Sequence, residues 1–367
     1  MNTDQLAHEA THANAHLQNE GEYSIISSFG AINKEYAAIR GSVGIFDFST
    51  HGKFRITGDE HVSWVSRLVS RDLEFLNSET TVFALCLNEA GEVLGIITLY
   101  KYDDAILIET ETANRAVIAA WFESQRTEDI KIEDVSNRLA LIGLEGPQSF
   151  KVAKTLLDFE ISSVPFQGFV EVDYNGETIV LARSGYTGEY GYKIFVSSDS
   201  AVKLWQQLYA KVQELGGSQC GNDALEITML EVRQPIGRLE GKGMPVIADG
   251  LGWLVDFNKS DDYSGREAIT EQCEATVERR TVGFITDEYA SIKSNDPIML
   301  DGQEIGHVIA AFHSLTLKAT LGLALNNEPF TVPGLAWSIQ NGQGEMLSAR
   351  SVSSPYIVPK SWKVKML

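Results

Sequence analysis

The chain has 367 residues, 44% hydrophobic and 22% charged, enough apolar material for two or three packed domains. Its formal net charge of −20 is opposite to that of a nucleic-acid binder, whose basic surface neutralises phosphates. No apolar run approaches the ~20 residues of a membrane helix, and Cys86, Cys220 and Cys273, far apart and odd in number, frame neither a disulfide scaffold nor a CxxC site. The polar opening "MNTDQLAHEATHANAHLQNEGEYS" lacks the basic and apolar regions of a secretory signal, so the expected setting is the cytoplasm.

Residues 1–20 read as a helical or frayed leader. Within it His8, Glu9 and His12 match H-E-x-x-H, with His16 one helical turn further. On a helix the two histidines would face one metal and the glutamate would activate water. A catalytic metal needs a dry, shaped cavity, and this polar stretch has no core strand beside it, so no metal is assigned. Next, "EYAAIR" reads as a helix stopped by Gly41, and "VGIFDFS" and "KFRITG" alternate as half-buried strands do. Asp59 is the expected N-cap of a helix carrying Val62, Val65, Leu68 and Val69 on one face. Residues 80–110 form a β-meander, followed by an amphipathic helix in "TANRAVIAAWFESQRT" and a strand, Gly-Pro turn and helix in "NRLALIGLEGPQSFKVAKTLL".

Asn175-Gly176 marks a tight hairpin. "SAVKLWQQLYAKVQEL" reads as a helix capped by Ser200, and "NDALEITMLEVRQP" as another. From about Thr281 the text is short strands with no helix, the pattern of a small barrel or sandwich. The class is α+β: the leader, an intertwined region 21–275 with subdomains of about 21–140 and 141–275, and a β domain over 276–367. Helices and strands do not alternate as in a βαβ array, which excludes a Rossmann fold. "GRLEGKG" (Gly237 to Gly243) is too short for a phosphate loop and has no Ser or Thr after Lys242. "GYTGEYG" (Gly185 to Gly191) leads into a strand rather than a helix, so it is a tight turn presenting Glu189.

Many blocks, in order, resemble the glycine-cleavage T-protein family of folate-dependent aminomethyltransferases: "EYAAIRGSVGIFDFSTHGKFRITG", "LNEAGEVLGIITLY", "LALIGLEGPQ", "RSGYTGEYGYKIFV", "CGNDALEITMLEVRQP", "GLGWLVDF", "YSGREAI", "RRTVGF" and "GHVIAAFHSLTLKATLGLAL". The resemblance covers about residues 22–367. It implies a three-domain, cloverleaf-like fold around a central hole that holds tetrahydrofolate. Carried over residue by residue, it implies that Glu189 binds the pterin, a carboxylate accepting two hydrogen bonds from its amino-pyrimidinone edge. Tyr186 lies in the same turn. Trp253 would stack near the folate, Arg280 would meet its glutamate tail as a fork on carboxylate, and Trp362 falls where the family has an aromatic near that tail.

The departures are as informative. The family's meander reads G-G-x-x-D-D, with an aspartate beside folate N5 and N10; here those places are Gly95 and Ile96. An Asn becomes Glu111, two helix arginines become Leu225 and Met229, and the Gln of "LQGP" becomes Glu145. A carboxylate steadies an aminomethyl cation and takes a proton; Ile96 does neither. The expected activity is therefore tetrahydrofolate-dependent methyl or one-carbon transfer from a small methylated compound, chiefly a matter of alignment. Where the leaving group is an oxygen, an acid such as His51 or Tyr186 is required. Ile96, Glu111 and Arg71, the last in the family's Asn-Asp place, are the expected substrate contacts. A non-catalytic folate-binding protein and a true aminomethyltransferase with a relocated acid remain as alternatives. The K-G-C-x-x-G-Q-E signature of the iron–sulfur maintenance branch is absent from "EVRQPIGRLEGKG".

Overall fold

The computed structural model describes residues 15–366, so His8, Glu9 and His12 lie outside the described residues. Strands and helices are numbered along the chain. Residues His16–Glu20, expected to be helical, form a strand, β1, paired antiparallel with β2 (Tyr23–Ser28). "HLQNE" offers only Leu17 as an apolar group, too little for a helical stripe, and Gly21 at φ 61° closes the hairpin.

Two sheets make up the body. One has six strands in the order β10-β11-β12-β9-β3-β13. These are β3 (Gly44–Asp47), β9 (Leu139–Glu145), β10 (Phe169–Tyr174), β11 (Glu177–Ala182), β12 (Gly191–Ser197) and β13 (Ser218–Gln219). The other has five in the order β5-β6-β7-β4-β8. These are β4 (Gly52–Thr57), β5 (Thr80–Leu87), β6 (Val93–Lys101), β7 (Ile106–Thr110) and β8 (Lys131–Asp134). The expected division near residue 140 does not follow these sheets. β3 pairs with β9, while residues 246–269 pack on β5 and β6 through Val246, Leu251, Leu254 and Ile269 against Leu85, Leu87 and Ile96. Pairing is antiparallel except for β3 with β13, as a chain without βαβ units requires.

The helices are α1 (Ile32–Gly41), α2 (His61–Ser66), α3 (Arg115–Ser124), α4 (Ser149–Ala153), α5 (Ser198–Glu214), α6 (Asn222–Val232) and α7 (Arg266–Glu274). The stripe Ala201, Leu204, Trp205, Leu208 and Val212 of α5 is buried with Ile142, Ile194 and Val196, each side chain contributing about 1.5–3 kcal/mol. Its cap is Ser197 rather than Ser200: the Ser197 hydroxyl accepts from the Ser200 amide at 3.3 Å. Helix α2 stops at Ser66, although Leu68 and Val69 continue the apolar face. The Lys259 ammonium takes the carbonyls of Ser66, Val69 and Arg71 there and satisfies what the ended helix leaves open. Asn175 and Gly176 both have positive φ, 56° and 84°, the conformation a two-residue hairpin demands.

The C-terminal strands close a six-stranded barrel, β14-β17-β16-β15-β18-β19, around Phe284, Val308, Trp337 and Ile339. They are β14 (Arg279–Thr286), β15 (Pro297–Leu300), β16 (Gln303–Ser314), β17 (Ala319–Asn327), β18 (Ala336–Gln340) and β19 (Met346–Val352).

Strand periodicity decides what meets between the two sheets. In β12, Tyr192, Ile194 and Val196 enter one core while Phe195, on the same face as Lys193, enters another. In β7, Ile106 and Ile108 bury within their own sheet's core while Leu107, on the face of Glu109, joins Phe195. The period of two therefore sends a lysine and a glutamate into the same apolar seam.

Candidate active site

Glu109 is the centre of that seam. Its carboxylate accepts from Lys193 Nζ at 2.7 and 2.9 Å, His51 Nδ1 at 3.0 Å, Tyr100 Oη at 2.6 Å and Tyr186 Oη at 3.2 Å. Burial alone would raise its pKa, but Lys193 and the His51 hydrogen bond hold it well below the usual carboxylate range. Sealing so many charges is costly unless every donor and acceptor is matched, and here the match is nearly complete. His51 stacks on Phe48 with ring centroids 5.0 Å apart. Burial lowers its pKa, against the opposing pull of Glu109.

This arrangement alters the reading of Tyr186. Its hydroxyl donates to Glu109, while its oxygen accepts from Lys193 at 2.6 Å and the ammonium lies 4.1 Å from its ring centroid. Burial and Glu109 push the phenol pKa well above 10, so Tyr186 is a poor proton donor and serves as a fixed wall. His51 and Tyr186 do come together, through Glu109.

Beside the network lie two small chambers. The first, about 10 Å³, is lined by Ile96, Glu109, Glu111 and Tyr186, and shares Phe83 and Gln234 with the central cavity. The second, about 50 Å³, is lined by Phe48, His51, Glu111, Tyr186, Leu225 and Met229 among others. Glu111 faces both. Burial raises its pKa to about 7; the Gly237 amide offsets this in part, while Glu20 and Glu226 add to it. Of the two acids that line a chamber with Ile96, Glu109 is saturated by donors and Glu111 is not.

The central cavity, about 930 Å³, is walled by parts of both sheets and the barrel. Trp253 and Trp362 line it and are 52% and 72% exposed, with Tyr186, Phe83 and Tyr356 completing an aromatic surround. Three expected residues are engaged by the chain itself. Glu189 has a fully buried side chain that accepts from the Lys360 and Ser361 amides at 3.1 and 2.8 Å and the Ser361 hydroxyl at 2.6 Å, and pairs with Arg40 at 3.4 Å. The carboxylate anchors the C-terminal turn Lys360–Lys363, and Glu189 also lines the central cavity. Arg280 pairs with Glu328 at 2.6 Å, and it is the neighbouring Thr281, Val282 and Gly283 that line the cavity. Arg71 donates to Asp256 at 2.8 Å, the Trp253 carbonyl at 2.9 Å and the Phe83 carbonyl at 3.1 Å, so all three of its nitrogens are engaged in positioning two cavity aromatics.

Two arginines line the cavity, Arg183, which donates to the Val164 carbonyl at 2.9 Å, and Arg233. Arg233 caps α6 at φ 61° and pairs with Glu240 at 2.6 Å. Glu109, Lys193, Tyr100 and Arg233 escape motif reading. For Glu109 and Lys193 the one sequence signal is a lone charge inside a strand buried on both faces, as in "AILIET" and "GYKIFV".

The family model for the GCVT N-terminal domain matches residues 6–259, and that for the glycine cleavage T-protein C-terminal barrel domain matches residues 279–357. The chain belongs to the glycine-cleavage T-protein family. Relatives in this family include the aminomethyltransferases of Bacillus subtilis (strain 168), 27% identical over 92% of this chain and 93% of that one, and of Anoxybacillus flavithermus, 29% identical over the same shares. The crystal structure of glycine cleavage system aminomethyltransferase T from Bartonella henselae has the same fold, with a TM-score of 0.86 at 19% identity, covering 95% of each chain. Membership in the T-protein family carries folate-dependent one-carbon transfer, with tetrahydrofolate as cofactor. The central cavity fits that group in size and in its aromatic walls. Ser184 Oγ, buried on the cavity wall with no hydrogen-bond partner among the described residues, is a polar group that a ligand edge would satisfy. Glu189, the carboxylate expected to read the ring, lines the cavity with its oxygens already held by the chain's own donors, and Arg280 is paired with Glu328.

Proposed function

We propose that this chain is a tetrahydrofolate-dependent transferase that takes a methyl or one-carbon unit from a small methylated compound. One observation carries the reading: Ile96, in the place of the family's acid, closes a chamber of about 10 Å³ against Tyr186 and Glu111. That volume admits about one water-sized group, which suits a bare methyl. Of the carboxylates there, Glu109 is saturated by its donors and Glu111 is held toward its neutral form, so no unpaired anion awaits an ammonium.

Tetrahydrofolate supplies the nitrogen that accepts the carbon unit. Trp253 and Trp362 would hold its rings, and Arg233 its acidic end. The chain's own contribution is alignment and exclusion of water, with Glu111 able to deliver a proton to a leaving oxygen near neutral pH. The same Glu111 supports a second reading, an aminomethyltransferase whose acid has moved from the meander to the end of β7, because an incoming cation would ionise it.

The deciding assay incubates the protein with tetrahydrofolate and a panel of small O-, S- and N-methyl compounds, and follows methylated folate by mass spectrometry. Formation of 5-methyl-tetrahydrofolate with matching demethylation supports the first reading. Ammonia release from aminomethylated glycine-cleavage H-protein, lost in Glu111→Gln, would support the second and overturn the first.

A further inference from the structure

We infer that Glu109 and Lys193 are positioning residues that lock His51 as its Nδ1–H tautomer, with a bare Nε2 on the wall of the 50 Å³ chamber. Four observations carry this. The Lys193 ammonium binds both oxygens of Glu109, at 2.9 and 2.7 Å, and both side chains are 1% exposed. An ionised carboxylate only accepts, so the 3.0 Å contact fixes the proton on His51 Nδ1. The other ring nitrogen then carries a lone pair whenever the imidazole is neutral, and Nε2 has no hydrogen-bond partner among the described residues. The stack on Phe48 keeps the ring from turning. The charged groups around the ring are Glu109, Lys193 and Lys53, with Glu20, Glu111, Glu226 and Arg238 on the chamber wall.

The arrangement gives His51 a defined task. Methylating a secondary amine nitrogen forms an N–C bond while the donor's methyl–heteroatom bond breaks, its electron pair leaving with the heteroatom, and one proton on the new ammonium remains to be removed. His51 Nε2 takes that proton, the N–H electron pair stays on the amine nitrogen, and the new imidazolium is balanced by Glu109. No oxidant or reductant is involved. Lys193 also holds Tyr186 in place, so one ion pair orients both residues that motif reading selected.

The test is the ¹⁵N spectrum of the His51 ring in the full chain, assigned with His51→Asn and measured without any substrate. The expected spectrum at neutral pH shows a protonated Nδ1 and an unprotonated Nε2. Glu109→Ala should move the proton to Nε2 or mix the tautomers. Because that variant leaves a buried lysine unpaired, the double variant Glu109→Ala/Lys193→Met, which removes both charges, provides a folded alternative. Rescue by Glu109→Asp should restore the Nδ1–H signal. In the methyl-transfer assay, which rests on the function proposed above, kcat should fall about 100-fold in the double variant with KM little changed. An Nε2–H tautomer in the parent protein, or an unchanged spectrum in the variants, overturns the positioning role whatever the substrate proves to be. An altered tautomer with undiminished kcat overturns the proton-acceptor role.

Discussion

The turn at 185–191 and the end of strand β7 each withdraw a glutamate from water, and they treat it in opposite ways. At the turn, Glu189 is met by two amides, a hydroxyl and the Arg40 guanidinium, so the carboxylate holds the C-terminal turn to the body. At the end of β7, the Gly237 amide is the offset for Glu111, and burial leaves the acid titrating at about 7. Acids saturated by the chain's own donors build the fold; an acid left short of donors remains available for chemistry. Glu109, two residues from Glu111, belongs to the first class, and its role is to orient neighbours.

The largest expected effect that would break this contrast is on stability. Glu189→Ala should cost about 3–5 kcal/mol, because it strands buried donors and half of an ion pair. A denaturant titration checks this; a loss below 1 kcal/mol would put Glu189 back among the ligand-facing groups. Next in size is a pH effect at Glu111. Its pKa is raised in the folded state from 4.5 to about 7, so the native protein holds a proton that the unfolded chain releases. Stability from this group is therefore present below pH 4.5 and is lost as pH rises through 7. Glu111→Gln, which cannot ionise, should gain about 1–3 kcal/mol over the parent at pH 8, with the difference shrinking toward pH 5. Thermal melts across that range give the answer, and a difference that grows on acidification would reverse the sign argued here.

Smaller effects sharpen the comparison at the cavity. Trp253→Ala should weaken tetrahydrofolate binding by about 0.5–1.5 kcal/mol, the range for an aromatic stack, read by isothermal titration. Arg280→Ala should change that affinity by no more than about twofold, since its partner is Glu328 on the barrel surface and exposed pairs contribute about 0–1 kcal/mol. A larger loss would show that Arg280 leaves Glu328 to meet the ligand.

Much of the fold was legible because periodicity and turn chemistry are local. The stripe of α5 and the Asn175-Gly176 turn follow from short stretches, as does the helix-free text of the barrel. Local reading failed where partners come from afar. "HLQNE" became a strand because β2 was there to pair with it, and α2 ended early because Lys259, 193 residues beyond Ser66, met its carbonyls. The candidate site divided the same way. His51, Tyr186, Ile96 and Glu111 gather around two chambers, and Trp253 and Trp362 face the cavity. Arg71, Arg280 and Glu189 have the residue types for ligand contact, but each was claimed by the chain itself.

By itself the sequence determined the α+β class, the C-terminal β domain and the family, because each is written in residue types at fixed local spacing. Only the tertiary structure decided which charges are free. Whether a carboxylate acts or merely binds depends on the donors within about 3 Å of it, and those donors arrive from distant segments.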